Sequence, residues 1–200
     1  MIGRLVPAVL LFPTLVLAGL LGGNASILDR AAVRHFVEWR ASYPDATSAL
    51  IILTQLGGAP VLLVAAAAAA LVVVRRSRSA AFALLTTSLG GRLLIEFTKL
   101  AVGRPRPALD AHPVFVFSQS FPSAHAGNTM ITYGAIALFA VPERWRPAAF
   151  AAAVAISLAV GVTRPVLGVH WPTDVIGGWC LGLLWLLACR AAWARLSPRT

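Results

Sequence analysis

The chain has 200 residues, of which 58% are hydrophobic and only 12% charged, with a mean hydropathy of +0.80. Because a soluble domain carries about a quarter charged residues, this composition excludes an ordinary soluble domain and indicates a membrane protein. The net charge of +10 does not indicate nucleic-acid binding. The arginines stand between apolar runs, where they orient membrane spans and contact anionic lipids.

Six apolar segments are each long enough to cross a bilayer as a helix. The first follows Arg4 and precedes small residues at 23–25, as a signal peptide would, but its apolar run is longer than a usual signal core and we expect it to be retained. A Gly-Gly-Ala-Pro sequence at 57–60 predicts a kink in the second. The predicted fold is an all-α integral membrane bundle of six transmembrane helices, forming one domain over residues 1–200. The predicted spans cover roughly residues 4–22, 47–74, 79–102, 123–141, 147–163 and 173–190.

The arginines predict the orientation of these spans. With the amino terminus in the cytoplasm, most arginines fall on the inner side, as the positive-inside rule requires. The third and fifth spans then end, and the fourth and sixth begin, at the outer face, and these four ends carry the polar motifs of the chain. The inner arginines are Arg4, Arg75, Arg76, Arg78, Arg144, Arg146, Arg190, Arg195 and Arg199.

Two cations stand at the end of the third span. Lys99 closes the span, and one glycine and two prolines within 103–107 stop the helix directly after it. Arg106 therefore lies on a loop that can fold back toward Lys99. Snorkelling at a membrane boundary explains Lys99 alone equally well, but the pair on a proline-rich loop favours a phosphate-binding site.

The tetrapeptide Pro122-Ser123-Ala124-His125 opens the fourth span. Ser123 stands at the expected N-cap, and a helix amino terminus offers free backbone N–H groups to an anion. The Ser123 hydroxyl and the Ala124 amide are placed to donate to phosphate oxygens, and His125 to protonate a leaving oxygen. Taken alone, the motif is also explained by an ordinary cap beside an interfacial histidine.

A third motif joins the fifth and sixth spans. Asp174 follows His170 by four residues and lies in the first turn of a helix that begins near Pro172, so its carboxylate can reach back to the ring. A carboxylate on one ring nitrogen fixes the tautomer and leaves the other nitrogen free to attack. Arg164 adds a planar fork suited to phosphate oxygens. A helix-dipole role would explain Asp174 but not His170.

Together these motifs resemble the type 2 phosphatidic acid phosphatase family, which shares its site with vanadium haloperoxidases. The family pattern is Lys-six residues-Arg-Pro, Pro-Ser-Gly-His and Ser-Arg-five residues-His-three residues-Asp, and all three spacings are present here. Ala124 replaces the glycine and Thr163 replaces the serine, and neither change removes a catalytic group. Alanine lacks the freedom of glycine at positive φ, so we expect a slightly reshaped anion cradle.

The resemblance implies a membrane lipid phosphate phosphatase that needs no metal and no cofactor. In this scheme His170 attacks phosphorus and forms a phosphohistidine, Asp174 orients the ring, and His125 is the general acid. Water then hydrolyses the intermediate. The phosphate oxygens are expected to contact Lys99, Arg106, Ser123, Ala124 and Arg164.

The expected substrate is a lipid phosphomonoester or diphosphate, with undecaprenyl diphosphate as our first expectation. Phosphatidylglycerol phosphate, phosphatidic acid and lipid A phosphates are alternatives. We expect a multi-pass protein of the cell inner (plasma) membrane, with its active site facing the periplasm or cell exterior and the lipid bilayer as its partner. A phosphotransferase using the same phosphohistidine is an alternative function. So is a non-catalytic transporter or scaffold, although it has no need of a nucleophile, an acid and an orienting carboxylate together.

Two further polar segments carry predictions. Arg92, Glu96 and Lys99 share one side of the third span, which predicts an intramembrane ion network in which Glu96 positions Lys99. Residues 27–40 have the pattern of an interfacial amphipathic helix, with Leu28 on its apolar side. We expect this helix to anchor at the membrane surface, with a roof over the lipid access route as the alternative. The sequence leaves the oligomeric state open.

Overall fold

The computed structural model describes residues 26–196, so the predicted first span at 4–22 lies outside the described residues. Every regular element in the described part is helical, which confirms the all-α prediction there. The helices are α1 (Ile27–Ser42), α2 (Pro44–Thr54), a 3₁₀ turn (Gln55–Gly57), α3 (Ala59–Val73), α4 (Arg78–Val102), α5 (Ala124–Phe139), a second 3₁₀ turn (Glu143–Trp145), α6 (Arg146–Val166) and α7 (Pro172–Leu196).

Three to four candidate membrane spans lie within the described residues. The helices α4, α7 and the segment Glu143–Val166 are each long and apolar enough to cross a membrane. The helices α2 and α3 form a fourth candidate that is bent by 44°. The predicted kink is thus confirmed, because Gly58 is extended (φ −69°, ψ 146°) and Pro60 stands in the first turn of α3. Helix α5 has 16 residues, fewer than the roughly 20 that a span requires. Of the six predicted spans, three or four are therefore supported within the described residues.

Helix α5 is the centre of the bundle and packs against α4, α6 and α7. Small residues allow these helices to approach closely. A Cβ atom on Gly178 of α7 would lie 2.6 Å from the Ser123 carbonyl oxygen, so only glycine permits this contact. The Ser123 N–H in turn donates to the Asp174 carbonyl oxygen at 2.9 Å. The beginnings of α5 and α7 are therefore held against each other, which brings two of the predicted motifs together.

Helix α1 is docked into the bundle rather than anchored only at a membrane surface. Its helical structure is as predicted, but its apolar side does not form the packed face, since Leu28 is 81% exposed. The buried residues are Asp29 and Val33. Arg40 also donates a hydrogen bond to the Leu167 carbonyl oxygen at 2.7 Å. Helix α1 thus packs on the bundle through a buried carboxylate that apolar periodicity does not reveal, and its anchoring at the membrane surface stays a prediction.

Candidate active site

The loop after α4 folds back as the sequence predicts. Gly103 ends the helix in the left-handed region (φ 65°), and its N–H donates to the Lys99 carbonyl oxygen at 2.9 Å. The Lys99 Nζ atom donates to the Gln119 carbonyl oxygen at 2.5 Å. Arg106 donates from Nε to the Ser118 carbonyl oxygen at 2.7 Å and from Nη2 to Gln119 at 3.4 Å. Both cations thus bind the same stretch of loop.

His170 lies in the short connection between α6 and α7, with both ring nitrogens in polar contacts. Its Nδ1 atom is 3.3 Å from Asp174 Oδ2, as the four-residue spacing predicted. Its Nε2 atom is 3.0 Å from Arg106 Nη1. An ionised carboxylate only accepts hydrogen bonds, and a guanidinium only donates them. This geometry therefore assigns the proton to Nδ1 and leaves Nε2 unprotonated, with its lone pair accepting from Arg106.

The surroundings of His170 favour a neutral ring. Only 1% of the residue is exposed. Burial, together with the nearby cations Arg106, Arg164 and Lys99, holds the pKa of His170 well below its usual value of 6.5. The imidazole is therefore unprotonated at neutral pH, the state in which Nε2 can act as a nucleophile.

Two residues that sequence reasoning missed hold Asp174 in place. Ser120 donates its hydroxyl to Asp174 Oδ2, and Arg104 donates from Nη1 to Oδ1. The Trp171 N–H also donates to Oδ2 at 2.9 Å. Both carboxylate oxygens are thus occupied, and the residue is fully buried. The orientation of the carboxylate beside His170 is accordingly fixed by three donors besides the ring itself.

Asp29 extends this network to α1. Its Oδ2 atom lies 2.8 Å from Arg104 Nη2, and the side chains of both residues are at most 2% exposed. Thr173 also binds Asp29, through its N–H at 3.2 Å and its hydroxyl at 2.8 Å. The scarcity of charge in the chain was the one signal for Asp29 and Arg104. No spacing rule connects residues so far apart in sequence.

The start of α5 brings the second motif to the site. Ser123 occupies the N-cap position as predicted, but its side chain makes no cap hydrogen bond, and its buried Oγ atom has no partner in the described part of the chain. The alternative explanation of the motif, an ordinary side-chain cap, is therefore not supported. Ala124 is the first residue of the helix, and a helical backbone does not require glycine. The ring of His125 forms no hydrogen bond with the described residues.

Arg164 approaches the site from the end of α6. It is 2% exposed, and its Nη1 atom donates to Thr54 Oγ1 at 2.9 Å. Its Nε atom is buried without a hydrogen-bond partner among the described residues. The neighbouring Thr163 hydroxyl donates to the Val160 carbonyl oxygen at 2.6 Å. The hydroxyl of Thr163, which replaces the serine of the family pattern, is therefore held by a hydrogen bond within its own helix.

A cavity of about 470 Å³ joins most of these groups. Lys99, Ser123 and Asp174 are not among its lining residues; they lie directly behind it, bonded to the loop, to α7 and to His170 as described above. The cavity thus combines two imidazoles with three guanidiniums and one carboxylate, and its cations suit a small anion. Five of the predicted site residues line it: Arg106, Ala124, His125, Arg164 and His170.

The ion network predicted within the third span is not formed. No ion pair within the described residues involves Glu96 or Arg92, and Lys99 binds the Gln119 carbonyl oxygen instead. The prediction was wrong because the folded-back loop offers Lys99 a closer acceptor than its own helix does. Arg92 and Glu96 both line the cavity.

Across residues 26–196, no group of three or more histidine, cysteine, aspartate or glutamate side chains is placed to hold a metal ion.

Comparison with known proteins identifies the family. Residues 78–197 match the family model of the PAP2 superfamily, and the chain belongs to it. The crystal structure of a transmembrane PAP2-type phosphatidylglycerolphosphate phosphatase from Bacillus subtilis has the same fold, with a TM-score of 0.82 and 28% sequence identity, over 97% of this chain and 98% of that one. The family resemblance predicted from the three motifs is confirmed.

Curated relatives are similar over shorter stretches. Phosphatidylglycerophosphatase B of Bacillus subtilis is 40% identical, over 46% of this chain and 48% of its own length. Undecaprenyl-diphosphatase of Sulfolobus acidocaldarius is 30% identical over 45% of this chain and 44% of its own length. Lipid A 1-phosphatase of Rhizobium etli is 33% identical over 56% of this chain and 50% of its own length. The chain spans about half the length of the curated relatives it matches.

Proposed function

We propose that this protein is a membrane lipid phosphate phosphatase that works through a phosphohistidine. The observation that carries the proposal is the pairing of His170 with Asp174 at 3.3 Å, on the wall of a cavity that also holds His125, Arg106 and Arg164. An oriented, neutral imidazole beside two fixed cations matches what nucleophilic attack on a phosphoryl group requires.

In the first step, His170 Nε2 attacks phosphorus and the bond from phosphorus to the lipid oxygen breaks. His125 gives a proton to that oxygen, so the lipid leaves as an alcohol or a lipid monophosphate. An anionic phosphoryl group beside His125 favours the protonated ring that this step needs. In the second step, water attacks phosphorus, His125 accepts a proton from the water, and the bond to Nε2 breaks to release phosphate.

The cations supply most of the electrostatic stabilisation in this scheme. Arg106 and Arg164 line the cavity and bind the oxygens of the transferring group, while Lys99 adds positive charge from behind the wall. The Ala124 N–H and the Ser123 hydroxyl are proposed to donate to the same oxygens. Since these groups fill the charge-neutralising role, we propose that turnover needs no divalent metal and is blocked by vanadate, which adopts the geometry of the transferring group.

For the substrate we propose a lipid diphosphate, with undecaprenyl diphosphate first. The names of the relatives share lipid phosphates as a class without fixing the lipid. Arg92 and Asn128 line both the active-site cavity and an adjoining cleft between α3, α4 and α5. The Asn128 Oδ1 atom is buried without a partner in the described part of the chain. When a lipid diphosphate is cleaved the leaving group is a lipid monophosphate, and Arg92 on the cavity wall would neutralise its negative charge.

The test is phosphate release by the purified full chain in detergent micelles from a panel of lipids. The panel contains undecaprenyl diphosphate, phosphatidylglycerol phosphate, phosphatidic acid and a lipid A phosphate, and H170Q is the control. We expect inorganic phosphate from at least one lipid, unaffected by EDTA and abolished in H170Q. Mass spectrometry of the lipid products separates hydrolysis from transfer, since a phosphotransferase would yield a phosphorylated acceptor and little free phosphate. No phosphate transfer from any of the four lipids would contradict the proposal.

We further propose that the site faces the periplasm or cell exterior of an inner (plasma) membrane. The arginines at 75–76, on the connection farthest from the site along α4, support this orientation. A single cysteine at Ala111 in the site loop should react with a membrane-impermeant thiol reagent in intact cells, once Cys180 and Cys189 are replaced. A cysteine at Arg76 should react only after the membrane is broken. The opposite pattern would invert the topology.

A further inference from the structure

The end of the bundle opposite the candidate active site contains the larger of the two main cavities of the described residues. This cavity, of about 630 Å³, lies between α5, α6 and α7. Its volume falls within the range of about 300–1,000 Å³ that is typical of ligand sites. The lining is mostly apolar, with side chains such as Leu187 of α7 and Phe150 of α6. None of the candidate active-site residues reaches it.

The polar groups of this second cavity are two arginines and one glutamate. Arg146 begins α6 and Arg190 lies near the end of α7. Both therefore lie toward the end of the cavity that is farthest from the candidate active site. Arg190 has no hydrogen bond or ion pair within the described residues. Arg146 donates from Nε to the Val141 carbonyl oxygen at 3.2 Å and lies 4.0 Å from Glu143, whose side chain is 92% exposed. That exposed pair is weak, so most of the cationic charge at the opening is uncompensated.

Aromatic residues place this opening at the depth of lipid headgroups. Trp145 is 57% exposed on the turn before α6. Trp193 lines the cavity and packs edge-on against Phe139, with ring centroids 5.7 Å apart. Tryptophans gather where the hydrocarbon of a bilayer meets its headgroups. An apolar cavity therefore opens at headgroup level beside two cations.

We propose that this cavity binds one anionic phospholipid, with an acyl chain between α6 and α7 and its phosphate on Arg146 and Arg190. The apolar wall matches the chain, and the two guanidiniums match a phosphodiester. The site is independent of the proposed phosphatase chemistry, because it contains no nucleophile and lies at the other end of the helices. A neutral or zwitterionic lipid satisfies the apolar wall equally well but leaves the cations without a net negative partner.

The test is native mass spectrometry of the delipidated full chain in detergent, titrated with phosphatidylglycerol or phosphatidylcholine of equal chain length. We expect the wild type to prefer phosphatidylglycerol by about 25-fold, since each of the two cations near the headgroup contributes about fivefold. R146Q/R190Q should lose that preference. R75Q/R76Q removes the same charge at the same end of the bundle, outside the cavity, and should retain it.

A second pair of variants tests the acyl-chain part. Ala194 is exposed and lines the cavity, so A194W fills its mouth without overpacking the core, whereas A192W places the same side chain on the exposed surface outside it. A194W should weaken the binding of both lipids and A192W should not. Equal binding of the two lipids by the wild type would overturn the proposal. Loss of phosphatidylglycerol in R164Q with retention in R146Q/R190Q would place the lipid in the active site instead and also overturn it.

Discussion

The two halves of the candidate active site differ in how fully their polar groups are paired. The nucleophile half consists of His170, Asp174, Ser120, Arg104 and Asp29. Its members bind one another in an unbroken chain from the imidazole to α1, and every carboxylate oxygen in it has a donor. Within the described residues, the Arg104 Nε atom is the one buried polar atom of this half without a partner.

The acid half, which consists of His125, Ser123, Asn128 and Arg164, is incompletely paired. One buried atom in each of the last three, Oγ, Oδ1 and Nε respectively, has no partner in the described residues. Each such atom costs about 1–3 kcal/mol. Under the proposed mechanism, this difference means that the nucleophile is fixed before the substrate arrives, whereas the acid half is completed by the phosphate and the leaving group. Substitutions in the first half should lower kcat, and those in the second should also raise KM.

The largest effect is expected from H170Q. Glutamine preserves much of the volume of the side chain but has no nucleophilic nitrogen, so kcat on the best lipid substrate should fall by at least about 10³-fold. The variant should still unfold at a temperature close to that of the wild type. Phosphate release within tenfold of the wild type would remove His170 from the chemistry and leave the nucleophile half without a function.

H125Q should follow, with a loss of about 10²–10⁴-fold on lipid substrates, because a general acid contributes that much. The loss should shrink on p-nitrophenyl phosphate, whose leaving group departs without a proton, and this rescue separates the acid from the nucleophile. H35Q makes the same change at an exposed position on α1 and should be neutral. Equal losses on both substrates would contradict the assignment of His125 as the acid.

The sequence predicted the residues that line the cavity better than the residues that hold them in place. Arg106, His125, Arg164 and His170 all line one cavity, because helix ends and loop breakers already placed them at one end of the bundle. The kink at 57–60 could also be predicted, since glycine and proline act on the local backbone.

What the sequence did not reveal depends on contacts between distant segments. In the sequence, Asp29 is one charged residue on an amphipathic helix. Its burial depends on an ion pair with Arg104, which lies 75 residues further along the chain. The Lys99 side chain prefers a carbonyl of the folded-back loop to a carboxylate on its own helix, which helical spacing cannot anticipate. The length of α5, with 16 residues, was overestimated because the apolar sequence continues past the helix end through Ala140 and Val141.

D29N tests whether the nucleophile half extends as far as α1. It removes the charge opposite Arg104 but keeps the shape, so Arg104 should hold Asp174 less rigidly and kcat should fall by about tenfold with little change in KM. D110N is the matched control. It removes the partner of Arg40, which lies on α1 as Asp29 does. The Asp110 carboxylate is 46% exposed, however, and an exposed ion pair contributes little. Equal effects of the two substitutions would show that α1 serves stability alone.

The depressed pKa of His170 predicts how the site responds to acid. The folded chain should keep this ring neutral as the pH falls through 6.5, its usual pKa, while the unfolded chain takes up a proton there. Acidification below that value should therefore favour unfolding, yet leave the nucleophile unprotonated in the molecules that remain folded. Nitrogen-15 spectra of the ring in micelles, assigned with H170Q, should show the neutral Nδ1–H form at pH 6.5, where an ordinary imidazole is half protonated. A protonated ring at that pH would contradict the prediction.

The smallest effect is expected from A124G, which restores the family's glycine. Ala124 is the first residue of α5 and has a helical backbone, so the positive-φ freedom of glycine is not used there. The backbone N–H is common to both residues, and kcat and KM should each stay within about twofold of the wild type. Stability should fall by up to about 1 kcal/mol, the helix-propensity difference between the two residues. Initial rates test the expected kcat and KM, and melting temperatures test the expected loss of stability. A large gain in activity would show instead that the alanine methyl group obstructs the anion, and that the acid half of this chain is more constrained than its unpaired atoms indicate.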